Sequence, residues 1–487
     1  MRPSVITVNR LMWMSLRVLA CLLGLLLGAE RDAHGQLRPL NYRVFSTMQG
    51  AVGGSTPFWH YANARGQFRP GATADWVSGA SLTLPFQENG GLDVSVGAKA
   101  VSRISDATNT LHFLHLYGKA QYRGLRLSVG RFPETIGATY PPLSMGSMIV
   151  SRNAPPVPKI KLFTPDYVDV PFTDGYVQVR GRWSDGVLGV DRTVERARLH
   201  QKTFYLKVNV GPLAASGGLI QNTTWGGKGQ SNELIDYLHL FVGSQAGTEN
   251  DPNRVGNTIA AYDFALQYTL DDWQVRASRL FYLEDTVSMR FRSPWDGMWG
   301  LSLQRTNGHS WINGLLYEHM NTIKQDSPPG VPRGRAGYYT HHIYESGWTY
   351  QGTVLGNPLI VFSPEQNQVV NNMIIAHHLG IRGTPTPRLG YKARLTYSRN
   401  YGVCADQIVT GACHIAASEP VPPNQKVRPR GELREDQYSV FVEVRYRLSE
   451  APGLQLVGST AVDVGEFYED RWGIRIGLRW SGSIPTP

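Results

Sequence analysis

A segment in the second half of the chain is dense in aromatic rings that lie beside amide and imidazole side chains. It includes Tyr338-Tyr339-Thr340-His341-His342, then Trp348-Thr349-Tyr350, then Asn357-Pro358. Aromatic faces suit the apolar C–H faces of sugar rings, and amide or imidazole groups suit sugar hydroxyls. This composition suits carbohydrate binding, although for any single residue it fits aromatic packing at least as well. The alternative is that the same rings pack against one another and fold the segment onto the rest of the protein.

Motifs for catalysis are weak in this chain. It has no Gly-x-Ser-x-Gly, no His-Glu-x-x-His and no P-loop sequence. A pair of carboxylates can cleave a glycosidic bond, but nothing in the sequence sets the separation of any pair. The adjacent His341 and His342 would point to opposite sides of a strand, which disfavours a metal site. We therefore expect a protein that is not an enzyme and that has no cofactor and no metal.

The composition excludes several classes of protein. Lys and Arg number 48 and Asp and Glu 38, a net charge of +10, yet charged residues are only 18% of the chain. A soluble globular domain usually has about 25%. Aromatic residues, at 10%, are too frequent for a disordered protein. Apart from the N-terminus, no stretch of about 18 uncharged apolar residues occurs, which excludes a helical membrane protein.

Residues 1–35 have the organisation of a secretory signal peptide. Three arginines precede or enter an apolar run at residues 18–29, and Ala33-His34-Gly35 then supplies small residues for cleavage. The apolar run is too short to span a bilayer and is followed at once by charged residues, which disfavours a transmembrane anchor. We therefore expect an exported protein whose mature chain is residues 36–487.

Two cysteines, Cys404 and Cys413, remain once the signal is removed. Both lie in a segment rich in small residues, and an exported chain matures where thiols oxidise. We expect a local disulfide between them.

Most of the mature chain alternates between apolar and polar residues, which is typical of strands with one apolar face. In 111–123 the apolar side includes Leu114 and Leu116. A soluble sandwich would bury such faces between two sheets, whereas a membrane barrel turns them toward lipid. Segments of about ten residues, Tyr and Trp at segment ends, and the export signal favour the barrel. In 472–480 the apolar residues are Trp472, Ile474, Ile476, Leu478 and Trp480.

The predicted fold is all-β, a transmembrane antiparallel β-barrel of about 18 strands with long outer loops, occupying residues 36–487 as one domain. The segment 234–243 is ambiguous between strand and helix. The predicted strands are 42–50, 76–86, 91–103, 111–123, 125–132, 175–183, 203–210, 213–220, 234–243, 258–269, 272–282, 299–305, 311–320, 370–381, 388–398, 437–448, 453–463 and 472–480.

The connections between these strands alternate between tight and long. The long ones are 51–75, 133–174, 321–369 and 399–436. Outer-membrane barrels have short periplasmic turns and long outer loops, so both termini are expected in the periplasm and the long segments outside or folded into the lumen. The alternation slips between 184 and 233, where Gly211-Pro212 makes a tight turn out of phase. At least one strand in that region is therefore wrongly assigned.

The predicted inward face is basic, with Glu443 as its clearest acidic residue. Such a face can attract an anionic polymer or solute, or it can form internal salt bridges that hold a plug, or it can reflect ordinary lumen polarity. Nucleic-acid binding is disfavoured because the cations lie inside a barrel of an exported protein. The basic residues are Lys119, Arg123, Arg126, Arg180, Arg182, Arg276, Lys392, Arg394, Arg445, Arg447, Arg475 and Arg479.

The chain resembles the Wzi-type capsule assembly proteins, especially the branch found in Bacteroidetes-type bacteria. The matching pieces are Thr56-Pro57-Phe58-Trp59, the stretch from Gly130-Arg131-Phe132-Pro133 to Pro158, Pro165-Asp166-Tyr167-Val168, and Tyr339 to Pro358. The resemblance implies a barrel of about eighteen strands that binds exported capsular or exopolysaccharide and retains it at the cell surface. The chain differs from the better-known members, because residues 36–41 are too few to form a periplasmic helical segment before the first strand.

Together, the residues and the resemblance predict a non-enzymatic protein of the bacterial outer membrane that assembles or retains surface polysaccharide. The expected partners are an anionic polysaccharide, outer-membrane lipid and the barrel-assembly machinery, and the expected state is a monomer. The alternative is an anion-preferring porin. Arg152 and Asn153 are expected to be loop anchors or ligand contacts. The candidate sugar contacts are Tyr339, His341, Trp348, Tyr350 and Asn357.

Overall fold

The protein is described by a computed structural model. The predicted signal peptide and the predicted Cys404–Cys413 disulfide lie outside the described residues. The described residues are 36–37, 39–87, 91–137, 139–242, 256–284, 293–325, 337–403, 434–450 and 453–485.

Eighteen antiparallel strands form one closed sheet, which confirms the predicted barrel. The strands are β1 (Leu40–Val52), β2 (Ala74–Gln87), β3 (Leu92–Ser105), β4 (Asn109–Tyr122), β5 (Leu125–Arg131), β6 (Lys159–Phe163), β7 (Val177–Val187), β8 (Arg198–Val210), β9 (Leu213–Trp225), β10 (Gly256–Leu270), β11 (Trp273–Glu284), β12 (Gly297–Arg305), β13 (Ser310–Asn321), β14 (Ile374–Thr384), β15 (Leu389–Asn400), β16 (Glu435–Arg447), β17 (Gly453–Gly465) and β18 (Arg471–Ile484).

The sheet closes because its last strand pairs with its first. The β1–β18 register runs without a break from Leu40 opposite Ile484 to Val52 opposite Trp472. Hydrocarbon offers no hydrogen-bonding partner to a backbone N–H or C=O group, so a membrane sheet must have no open edge. The uninterrupted pairing of β1 with β18 meets this requirement.

The two faces of the strands have opposite character. On β18, Ile474, Ile476 and Leu478 are each about half exposed, whereas the alternating Arg471 is 8% exposed. Trp472 and Trp480 lie at the two ends of this apolar row. Apolar residues that face outward in a band flanked by aromatic residues are typical of lipid-exposed barrel walls. The outward-facing apolar sides predicted from alternation are therefore confirmed.

Two errors in the predicted strands cancel in the count. The segment 234–243 is not a strand, because Leu234–Val242 forms helix α2. Conversely, Lys159–Phe163 is a strand that the prediction missed, and it pairs with β5 and β7. With β6 restored, Gly211-Pro212 joins β8 to β9 as a tight turn in phase with the other short turns.

Helix α2 lies against the outer surface of the barrel. The Tyr237 ring packs on Trp225 and on His200, with ring centroids 5.4 Å apart in each case. His200 and Trp225 face outward, because His200 is the neighbour of the inward-facing Gln201 that bonds Asn222. The helix covers these outward side chains, and its own apolar residues Leu234, Ile235, Leu238, Phe241 and Val242 are exposed.

One strand side is reversed by a β-bulge. Lys99 pairs with His115 but Ala100 pairs with Phe113, so Leu114 is an extra residue on β4. The prediction placed Leu114 with Leu116 on the outward face. That is wrong for Leu114, which is 1% exposed and packs inside the barrel.

Short elements complete the described structure. Helix α1 is Phe58–Tyr61, and no described helix has the length and apolarity needed to cross a membrane. The remaining short strands are Gln36–Leu37, Val168–Asp169, Thr349–Tyr350, Thr353–Val354, Val361–Ser363 and Gln368–Asn371.

A charge on the outward face tests this orientation. Ile476 lies midway between Trp472 and Trp480 on β18, so Ile476→Arg is expected to lower the free energy of unfolding in lipid vesicles by about 2–4 kcal/mol. Ile476→Leu, which keeps the site apolar, is the matched control and is expected to change it little. Equal losses in both variants, measured by urea titration in vesicles, would contradict a lipid-facing position.

Candidate functional site

Three outer segments fold into the barrel and fill the outer half of its lumen; together they are called the plug. Loop A is residues 53–73 between β1 and β2, loop B is 132–158 between β5 and β6, and loop C is 322–373 between β13 and β14. Residue 138 of loop B and residues 326–336 of loop C are outside the described chain.

The plug and the barrel wall share one hydrophobic core. Inward-facing wall residues from opposite sides of the barrel, such as Ile220 and Phe441, belong to the same buried cluster as Phe58, Met148 and Trp348 of the three loops. A barrel of sixteen or more strands is too wide for its own inner side chains to fill. The loops therefore supply the interior that the wall cannot.

Loop A is fixed to the wall near its start. The Phe58 backbone N–H donates to Asp463 Oδ2 at 2.7 Å, and Trp59 Nε1 donates to Thr396 Oγ1 at 3.1 Å. Asp463 also receives Arg471 Nε at 2.8 Å, so its charge is compensated. Helix α1 is thereby held against β15, β17 and β18.

Loop B is fixed by a buried carboxylate to β13 and β14, across the lumen from its own strands β5 and β6 and next to the wall that holds loop A. Glu318 on β13 accepts hydrogen bonds from Ser144 Oγ and from the Met145 backbone N–H, both at 2.7 Å. His378 on β14 contacts the Leu143 carbonyl oxygen through Nε2 at 2.8 Å. Glu318 is 2% exposed, and each of its two carboxylate oxygens accepts a hydrogen bond from loop B.

Loops B and C are joined backbone to backbone and through side chains. The Ser151 N–H donates to the Leu355 carbonyl at 2.8 Å, and Asn357 Nδ2 donates to the Gly146 carbonyl at 2.7 Å. Trp348 Nε1 donates to the Ile149 carbonyl at 2.6 Å. Loop B thus lies between the wall and loop C.

Tyr339 adds a further link, because it contacts loop B and also other residues of loop C. Its hydroxyl donates to the Met148 carbonyl, and its carbonyl accepts the Trp348 N–H at 3.1 Å. Its φ of 67° is rare for a side chain of this size, so the surrounding bonds must impose it. A Cβ on Gly347 would lie 2.0 Å from the Tyr339 carbonyl oxygen, which is why this contact requires glycine.

The structure buries the five candidate sugar contacts. Tyr339, His341, Trp348, Tyr350 and Asn357 are at most 6% exposed. In this arrangement they hold the plug together, and a sugar contact at any of them stays a prediction that requires the loops to separate. Burial lowers the pKa of His341 to about 3, and the neighbouring His342 lowers it further, so the neutral imidazole is favoured.

The two loop B candidates act as anchors in the structure. The Arg152 guanidinium donates to the Pro141 carbonyl, and its own carbonyl accepts the Arg65 N–H at 2.6 Å. Asn153 Nδ2 donates to the Val354 carbonyl at 3.1 Å. These contacts favour the anchor alternative over direct ligand contact.

A buried carboxylate in loop B neutralises part of the basic wall. Glu134 accepts a hydrogen bond from Lys159 Nζ, and its Oε2 lies 3.6 Å from Lys161 Nζ and 3.7 Å from Arg182 Nη1. Burial alone would raise the pKa of Glu134, but Lys159, Arg182 and Lys161 outweigh it and lower the pKa to about 2. The sequence prediction missed Glu134, although an acidic residue next to Phe132-Pro133 and opposite a basic wall was a usable signal.

The predicted basic face is correct in position, with one exception. Arg123 is wrong, because it lies in the β4–β5 turn with a φ of 44°, is exposed, and extends over the outward-facing Tyr122 ring. The other predicted residues occupy inward-facing positions: Lys119, Arg126, Arg180, Arg182, Arg276, Lys392, Arg394, Arg445, Arg447, Arg475 and Arg479.

The inward cations have different roles at different levels of the barrel. Those next to the plug bind it: Arg394, 6% exposed, donates to the Pro142 carbonyl at 2.9 Å. Below the plug, Arg445 and Arg479 line a cavity of about 460 Å³. A second cavity of about 370 Å³ lies beside it and is lined by Arg382 and Arg447. Two of the alternatives for the basic face therefore apply at different levels of the barrel. Cations next to the plug hold it in place, and cations below it line a cavity that an anion could enter.

Metal binding has no support in the described part of the chain. No group of three or more His, Cys, Asp or Glu side chains lies close enough together there to hold an ion.

These features define a class: a membrane-spanning β-barrel whose outer loops fold inward as a plug. A family model places the chain more narrowly, because it matches residues 54–359, a range that includes loops A, B and most of C. The chain belongs to the family of the capsule assembly protein Wzi, which confirms the resemblance seen in the sequence. The Bacteroidetes-like branch stays a prediction.

One solved structure supports the fold. The structure of Wzi from Escherichia coli, described as a carbohydrate-binding β-barrel of the outer membrane involved in group 1 capsule assembly, has a TM-score of 0.56 at 17% identity, covering 91% of this chain and 84% of that chain. OccK5 and OccK11 of Pseudomonas aeruginosa have TM-scores of 0.48 and 0.46 at 11% and 13% identity, and the matches cover 92% of this chain and 98% and 96% of theirs. No curated protein matches the chain.

Removing the Trp348 ring is expected to loosen the plug without opening the barrel. Trp348→Ala deletes a side chain that is 1% exposed and leaves the Ile149 carbonyl without its donor, a change of about 3–5 kcal/mol. We expect faster protease cleavage within loops B and C in intact vesicles. His342→Ala, at an exposed position of the same loop, is the control, and equal protection in both variants would show that Trp348 does not hold the loops.

The Glu134 cluster predicts a specific acid sensitivity. Its pKa is lowered from 4.5 to about 2, so its stabilising effect is present above pH 4.5 and is lost as the pH falls toward 2. Thermal unfolding from pH 6 to pH 2 should show the wild type losing its advantage over Glu134→Gln across this window. A constant difference between the two proteins would refute the assignment.

Proposed function

We propose that this protein binds exported capsular or exopolysaccharide and helps to assemble or retain it at the cell surface, without catalysing a reaction. Family membership supports the link to capsule assembly. The E. coli relative, which is described as carbohydrate-binding, supports a glycan as the ligand. We further propose that residues 36–487 act as one outer-membrane barrel domain after removal of residues 1–35.

The observation that carries the proposal is the hydrophobic core inside the barrel. A solute channel needs a continuous wet path, whereas here wall residues such as Leu199 and Met320 share one buried cluster with Met148 and Leu355 of the plug. The filled outer half disfavours the anion-preferring porin. A fixed outer face made by the plug and the surrounding loops is instead suited to holding a polymer.

The buried carboxylates that hold the plug in the barrel support a non-enzymatic role. Glu318 and Asp463 accept backbone N–H groups of loops B and A, and Glu134 is surrounded by three cations. A catalytic acid or base must reach its substrate. These three carboxylates are enclosed and already bonded, so they support structure rather than hydrolysis.

The partner proposals follow from charge and from sheet closure. The excess of cations on the inner wall supports an anionic polysaccharide over a neutral one. Because β1 and β18 satisfy each other's backbone, the barrel needs no second copy for this purpose, which supports a monomer. Outer-membrane lipid around the apolar wall, and the barrel-assembly machinery during insertion, complete the proposed partners.

The function is tested by measuring retention and conductance on the same proteins. In capsule-bearing cells that lack the native gene, Trp348→Ala combined with Tyr350→Ala should lower the cell-bound fraction of polysaccharide and raise the released fraction, while His342→Ala should behave as wild type. In planar bilayers the wild type should pass little current. Unchanged retention by a folded double variant would reject the plug's role in binding, and a steady anion-selective current would favour the porin.

A further inference from the structure

The two cavities below the plug are neighbours with basic linings, and together they are called the vestibule. The larger cavity, about 460 Å³, and the smaller, about 370 Å³, share Arg445 and Gln455 in their walls. Nine cationic side chains line the pair and one carboxylate does, that of Glu443. The cations are Arg43, Lys99, Arg305, Arg382, Arg388, Arg445, Arg447, Arg475 and Arg479.

The vestibule faces the periplasm. The smaller cavity is lined by residues of two short turns, around Gly308 and around Pro387, and short turns mark the periplasmic end of such barrels. Its upper boundary is the plug, because Gln67 and Phe68 of loop A line the larger cavity from above. A ligand therefore reaches this chamber from the periplasmic side.

The positive charge of the vestibule is largely uncompensated. Glu443 is shared by Lys392 Nζ at 3.2 Å and Arg445 Nε at 3.3 Å, and Arg305 lies 3.8 Å from the half-exposed Asp272. Among the ion pairs of the described residues none involves the other lining arginines, although Glu443 attracts Arg475 and Arg479 from a greater distance. Those arginines are Arg43, Arg382, Arg388, Arg447, Arg475 and Arg479.

Some of the cationic groups are held in place before any ligand arrives. The Arg475 guanidinium stacks 3.6 Å from the centre of the Phe68 ring and donates to the His60 carbonyl. Arg382 lies over the Tyr140 ring of loop B at 5.2 Å, and its Nε is a buried nitrogen with no hydrogen-bond partner among the described residues. A guanidinium that is already fixed in place binds carboxylate or phosphate oxygens at a lower entropic cost than a mobile one.

The chamber also offers rings to a sugar. Phe45 and Phe68 line the larger cavity, and Tyr391 lines the smaller one. Guanidinium groups that bind oxyanions, interspersed with aromatic faces that pack on C–H groups, match a saccharide that carries carboxylates better than they match a bare inorganic ion.

We propose that the vestibule is a second binding site, open to the periplasm, for the oxyanion groups of an acidic saccharide. The choice of a saccharide rests on the proposed function, whereas the oxyanion site rests on the geometry alone. The site is separated from the outer face by the plug, so it would engage a glycan before export rather than after it.

Binding is tested with the full chain in detergent by isothermal titration calorimetry. The probes are trigalacturonate, which carries three carboxylates, neutral maltotriose, and inorganic phosphate. Trigalacturonate should bind, maltotriose should not, and phosphate should bind more weakly. Affinity for trigalacturonate should fall as salt rises from about 50 to 200 mM, because the attraction is electrostatic.

Variants locate the site. Arg382→Gln with Arg447→Gln should weaken trigalacturonate binding about tenfold or more, since each removes a charge-assisted contact, while Arg382→Lys should keep part of it. Arg399→Gln, which removes a surface cation that pairs with Asp436 at 2.7 Å, is the matched control and should bind as wild type. Heat-modified migration on gels checks that each barrel is folded.

Each outcome decides the proposal. Unchanged affinity in the double glutamine variant, equal binding of maltotriose, or phosphate binding as tight as trigalacturonate would overturn it. Failure of the vestibule is distinguishable from failure of the proposed function, because polysaccharide retention on cells is measured separately. If the double variant loses trigalacturonate binding but cells still retain capsule, the vestibule stands as a site distinct from the retaining surface.

Discussion

The pairing of β1 with β18 is the constraint on which the rest of this structure depends. In hydrocarbon every backbone donor and acceptor needs a partner within the protein, and only closure of the sheet supplies one for the edge strands. Closure at eighteen strands also fixes the width of the barrel. At that width the inner side chains cannot meet across the lumen, so additional chain must enter if any part of the interior is to be dry.

The interior therefore has two parts that differ in packing and polarity. The outer half is packed like the core of a soluble protein, with Trp348 and Tyr339 buried and their polar atoms bonded to the Ile149 and Met148 carbonyls. The periplasmic half is wet and lined by arginines. Loop B marks the boundary between these two parts. There the Leu143 carbonyl contacts His378, and the Pro142 carbonyl accepts a hydrogen bond from Arg394.

The sequence predicted the wall well and the interior poorly, for a physical reason. A strand that separates lipid from water must alternate, so 472–480 and its counterparts could be recognised from residue types alone. Lys159–Phe163 also alternates, but five residues behind a run of prolines gave too short a signal. The aromatic residues of loop C have the same composition whether they bind sugar or pack against each other. Only the position of loop B, fixed by Glu318 on a distant strand, distinguishes these roles.

The anchoring of loop A carries a consequence for how the molecule is made. Phe58 is bonded to Asp463, which is 405 residues further along the chain, and Trp59 is bonded to Thr396. The first loop to emerge therefore has no wall to dock on until nearly the last hairpin has arrived. Insertion of the strands must therefore precede packing of the interior, and the packed interior then stabilises the inserted barrel. Withdrawing one of the three loops from the packed interior would expose apolar side chains of the core that they share, and that exposure is unfavourable in water.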